Sequence, residues 1–117
     1  MGTITPNVMV QILGGNTMTA RRKAKRKDHS AWVGVVSLEP PRIAYLNSVD
    51  VNIECSLLVR VFEIADDALN YDDVDDSALL DSERFKVNGF QDLQRLMDRL
   101  GVDTSTLAFK AETQYPL

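Results

Sequence analysis

The sequence predicts an α+β fold: a mostly antiparallel sheet of four to five strands with one main amphipathic helix, residues 89–100, packed on one face. Two patterns carry that expectation. The first is period-two alternation, with Val49, Val51, Ile53, Cys55, Leu57, Val59 and Val61 at odd positions and Asp50, Asn52, Glu54, Ser56 and Arg60 between them. The second is a helical stripe of Phe90, Leu93, Leu96, Met97 and Leu100, opposed by Gln91, Asp92, Gln94, Arg95, Asp98 and Arg99. Alternation buries one face of a strand, and the 3.6-residue period buries one face of a helix.

In chain order, Val8 to Leu13 reads as a short strand closed by Gly14-Gly15-Asn16, residues that tolerate the positive φ of a tight turn. Residues 17–30 read as a basic arm or loop, with a short helix capped by Thr19 as the alternative. Ala31 to Leu38, rich in valine and containing Trp32, reads as a strand stopped by Pro40-Pro41, since proline donates nothing to a ladder. A brief third strand is expected over Ile43 to Leu46, before the long one that starts at Val49. Leu58 and Phe62 break the polar side of that strand, which implies cover on both faces or a bend at its far end.

Residues 65–83 read as an acidic loop with one or two helical turns, and Phe85 to Val87 as a short strand. Asn88 is placed to cap the helix, with Gln91 in capping-box position and Gly101 supplying a left-handed residue at the end. Thr106 to Ala111 alternates and is expected to add an edge strand.

A chain of 117 residues, 44% hydrophobic and 26% charged, is long enough for one core without staples, and it reads as a single domain spanning residues 1–117. Its lone cysteine, Cys55, excludes an internal disulfide. The absence of a leader-like or membrane-spanning apolar run points to a soluble, cytoplasmic protein with no membrane partner.

Charge is segregated along the chain. Up to Arg60 there are eight basic and four acidic residues; beyond it there are five and thirteen, within a net charge of −4. Six of the cations, Arg21, Arg22, Lys23, Lys25, Arg26 and Lys27, fall within seven residues. That density suits phosphate neutralisation with counterion release, so these six are the candidate nucleic-acid or anion contacts. No aromatic residue interleaves them, which makes any such binding backbone-directed and sequence-tolerant. The bland alternative is a solvated loop, or pairing with the acidic segment of the same or a neighbouring chain.

The acidic segment offers Asp72, Asp73, Asp75 and Asp76 as candidate contacts for a basic partner, as in an inhibitor or immunity-like protein. Calcium spacing fails there. Starting from Asp73, Ala78 occupies the glycine position and Arg84 the bidentate glutamate position; starting from Asp72, Val74 falls on a ligand. No metal or other cofactor is expected. His29, the only histidine, has no sequence-local nucleophile, and Cys55 shares an apolar face, so the chain reads as a non-enzyme.

Three functions are therefore carried forward. The first is a non-enzymatic, self-associating interaction module that engages a macromolecular partner, protein or a second copy, through its charged surfaces. The second is a nucleic-acid binder using 21–27, and the third an acidic inhibitor using 66–83. Homodimerisation is expected from the exposed edge of a long strand and from reciprocal pairing of the charge clusters.

Overall fold

The computed structural model describes residues 2–69, 74 and 76–117. Five strands form one antiparallel sheet: β1 (Met18–Arg22), β2 (His29–Ser37), β3 (Ser56–Ala65), β4 (Leu80–Asn88) and β5 (Ala108–Phe109). Their order across the sheet is β4-β3-β2-β1-β5. Among the described residues three α-helices accompany them: α1 (Pro6–Leu13), α2 (Gly89–Leu100) and the single turn α3 (Lys110–Thr113).

Residues 8–13 are helical rather than extended. Pro6 stands at the first helical position, where its missing N–H costs nothing, and Thr5 Oγ1 accepts from the Val8 N–H at 3.3 Å. Val8, Met9, Ile12 and Leu13 then lie on one buried stripe. Composition leaves so short an apolar run ambiguous, and the Thr-Pro start signal before it decides.

The expected long strand is also shortened. Asp50 Oδ1 accepts from the Asn52 N–H at 2.7 Å and the Asp50 carbonyl from Ile53 at 3.3 Å, so the chain turns there and pairing begins only at Ser56. Val49 and Cys55 stay buried all the same, reaching the core through the turn. Ile43 to Leu46 forms no strand; a turn closed by Ser48 N–H to the Tyr45 carbonyl, 2.9 Å, leaves Ile43 87% exposed. β4 in contrast begins at Leu80, inside the segment read as acidic loop, with a register shift opposite Val61/Glu63. Single helical turns at Asp66–Ala68 and Asp76–Ala78 fit the expectation for that segment.

Helix α2 spans the expected residues, and Gly101 takes the left-handed conformation at φ 74°. The capping box does not form. Asn88 makes no side-chain cap bond, Gln91 Nε2 donates instead to Asn52 Oδ1 at 2.8 Å, and the Gly89 N–H reaches the Cys55 carbonyl at 2.7 Å.

Both faces of the sheet are covered. Helices α1 and α2 lie on the inner face, where Val33, Val35, Leu57 and Val59 meet Ile12, Phe90, Leu93 and Met97. The outer face carries a smaller cluster, Trp32, Phe62 and Ile64, under Leu69, Val74, Leu79, Tyr115 and Leu117. Phe62 thus does what its break in the alternation implied. None of the described helices is long and apolar enough to cross a membrane.

Candidate functional site

The six clustered cations occupy one hairpin. Arg21 and Arg22 end β1, and a six-residue connection, Lys23 to Asp28, leads into β2, so half of the expected arm is tied into the sheet. Thr19 caps no helix. It is buried in β1, donating to the Ala108 carbonyl at 3.1 Å and sharing a 2.7 Å hydrogen bond with Thr113 Oγ1. Asp28, at φ 57°, makes the turn into β2, because aspartate tolerates the left-handed region better than most residues.

What fixes the hairpin tip is Glu63. Continuing the odd-position alternation of β3 places this carboxylate on the inner face, opposite Ala31, where it is 4% exposed. Its two oxygens accept the backbone N–H groups of Lys25 and Arg26 at 3.1 and 3.0 Å, and Arg26 Nη1 lies 3.4 Å away. Burial pushes the Glu63 pKa up, but the two N–H groups and the guanidinium outweigh it and hold the carboxyl below its ordinary value. The basic loop is folded onto a buried anion through its own backbone.

The arginines and lysines then separate. Arg21 lies over the Trp32 ring at 4.8 Å, donating from Nε to the Thr113 carbonyl at 3.2 Å and from Nη2 to Gln114 Oε1 at 3.0 Å. Arg22 Nη2 reaches the last carbonyl of α2, Leu100, at 3.5 Å, where a cation suits the negative end of the helix. Arg26 Nη1 pairs with Asp81 at 3.0 Å, and the guanidinium holds that carboxyl below the usual range. Lys23, Lys25 and Lys27 are exposed, and their side chains make no hydrogen bond or ion pair among the described residues. Guanidinium forks suit fixed multidentate contacts, whereas ammonium groups stay hydrated.

Of the acidic candidates, Asp76 stands 3.8 Å from Arg60 with its side chain 87% exposed. Asp72, Asp73 and Asp75 lie outside the described residues. Asp66 accepts from Ser30 Oγ at 2.6 Å, and its N–H donates to the Asp28 carbonyl at 2.9 Å, joining the start of the acidic segment to the basic hairpin.

Two features escaped the linear reading. One is Glu63, whose signal was its parity with the apolar positions. The other is the cross-strand neighbouring of Arg60 and Arg84 on the outer face, which only the β3–β4 register reveals. At the opposite end of the sheet, a cleft of about 490 Å³ is bordered by Glu54, Cys55, Asn88 and Gln91. Burial pushes the Cys55 thiol up, so it is poorly suited to act as a thiolate there. Among the described residues no three His, Cys, Asp or Glu side chains are grouped to hold a metal ion. Comparison with protein-family models, with curated proteins and with solved structures finds no match to this chain.

Proposed function

We propose that the chain is a non-enzymatic interaction module that engages an anionic macromolecule through the tip of the β1–β2 hairpin. One observation carries this reading: Lys23, Lys25 and Lys27 are exposed, with no side-chain hydrogen bond or ion pair among the described residues, on a loop whose backbone is latched to Glu63. A held loop that presents three ammonium groups loses less conformational freedom on binding than a disordered arm would. The setting favours contact with phosphates over base reading, and nucleic acid in a cytoplasmic setting is the form to test first.

The test is oligonucleotide binding across a salt series. Three phosphate contacts on duplex DNA give a log-log slope near −3, shallower than the value near −5 for all six cations. A variant with Lys23, Lys25 and Lys27 changed to Gln is expected to lose binding, while Arg21→Gln leaves the slope unchanged. Binding that survives the triple substitution, or none at low salt, rejects this reading.

A second reading rests on a different surface. Ile43, Tyr45 and Leu46 are 87%, 69% and 58% exposed in the connection between β2 and β3, which suits contact with a protein, including a second copy of the chain. The edge of a long strand no longer supports that contact, because β3 lies between β2 and β4. For the inhibitor reading, Asp72, Asp73 and Asp75 lie outside the described residues and Asp76 stands 3.8 Å from Arg60.

A further inference from the structure

On the outer face of the sheet, away from the hairpin tip, Arg60 of β3 and Arg84 of β4 are direct cross-strand partners. Like charges placed directly opposite each other oppose pairing of their strands. Little offsets them among the described residues. Asp76 approaches Arg60 only at 3.8 Å with an almost fully exposed carboxylate, and Arg60 Nε is buried without a hydrogen-bond partner. Arg84 makes no ion pair or hydrogen bond among the described residues.

These two cations border a groove of about 290 Å³, with Lys110 of α3 as the third charge on its rim. The rest of its lining is mainly apolar: Leu58, Val36, Gly34, Leu117 and Tyr115, with Thr17. The glycine is needed for this shape, since a Cβ at position 34 would stand 2.6 Å from the Tyr115 hydroxyl. Lys110 Nζ lies 5.9 Å from the same ring. A short, largely apolar trough therefore ends in three cations, of which Arg84 and Lys110 make no ion pair among the described residues and Arg60 is paired with the exposed Asp76 at 3.8 Å.

We infer that this groove binds a small amphiphilic anion, a monocarboxylate whose chain rests on Leu58, Gly34 and Tyr115 while its carboxylate bridges Arg84 and Arg60. The volume lies just under the usual range for ligand pockets, about 300–1,000 Å³, which restricts the body to a few carbons. Arginine is the residue type that receives a carboxylate through paired N–H groups. Bridging would replace the repulsion between the two strands by a shared counter-charge.

Calorimetric titration with hexanoate, acetate and hexylamine, alongside thermal melts, tests the site. Hexanoate is expected to bind saturably and to raise Tm with concentration, with acetate weaker because it lacks the chain and hexylamine inert. Arg84→Gln is expected to weaken hexanoate by at least about tenfold, the effect of losing one charge-assisted contact. With the opposing charge gone, the ligand-free Arg84→Gln protein should melt about 1–4 °C higher than the parent. The triple lysine variant of the hairpin tip should bind hexanoate normally, so this site and the hairpin reading stand or fall separately. Equal binding of hexanoate to Arg84→Gln, equal binding of hexylamine, or no saturable binding at millimolar concentrations would overturn the assignment.

Discussion

At the scale of single residues, Glu63 decides how the basic cluster is displayed. A buried carboxylate accepting two N–H groups is favoured in its charged form, so its folded pKa lies below the ordinary 4.5. The sign follows: the stabilisation is complete above about pH 4.5 and is lost as pH falls through the folded value. Glu63→Gln removes one acceptor and turns an amide donor toward N–H groups, which should cost about 1–2 kcal/mol near neutral pH. Urea denaturation at a series of pH values is the check, with the parent and variant curves expected to converge in acid. Equal stability at neutral pH, or a gap that persists in acid, would show that the latch contributes nothing. Parity with Val59 and Val61 was the signal for this carboxylate's position, and an alternation followed only to Val61 passes it over. Its partners were not legible, because the backbone of a loop carries no residue code for the bonds it will make.

At the scale of elements, the outer layer illustrates what alternation reports and what it omits. Leu58 and Phe62 signalled that the second face of β3 would be covered, and Phe62 now sits 5.9 Å from Trp32 and 5.5 Å from Tyr115, ring to ring. What covers it was hidden, since Tyr115 and α3 follow β5 by local turns that leave no periodic trace. Trp32 is fully buried, and its Nε1 donates to the Thr113 carbonyl at 2.9 Å, so its emission reports on this layer. Tyr115→Ala removes the edge contact and part of the roof, and should cost about 2–3 kcal/mol. A red shift of Trp32 fluorescence in the folded variant, with a lower urea midpoint, is the expected result. Unchanged emission and midpoint would mean that the tail rests on the sheet without holding it. Helix α1 was missed for a related reason: a six-residue run with five apolar members fits either period, and the information lay outside it, at Thr5 and Pro6.

At the scale of the molecule, charges far apart in sequence are brought together in space. Arg26 meets Glu63 and Asp81, and Arg60 meets Asp76, all within one chain. Reciprocal charge pairing between copies thereby loses several of its partners. Strand-edge pairing is disfavoured too, because the free edge strand β4 carries Asp81, Glu83, Arg84 and Lys86, charges of the kind that guard an edge. The exposed large apolar side chains are Leu38, Ile43, Tyr45, Leu46 and Val51, in the long connection between β2 and β3, and Phe109 of β5, and the first group offers the larger surface for self-contact. An association built on such residues is weakly sensitive to salt, whereas one built on charge pairs dissociates as ionic strength rises. Sedimentation velocity at low and high salt should therefore show any dimer persisting in high salt and disappearing in Ile43→Asp, a change expected to leave stability within about 0.5 kcal/mol because the position is exposed. A dimer that salt dissolves and Ile43→Asp spares would restore the charge-paired arrangement. A monomer under every condition would leave the apolar connection to a different protein and remove self-association from the proposed function.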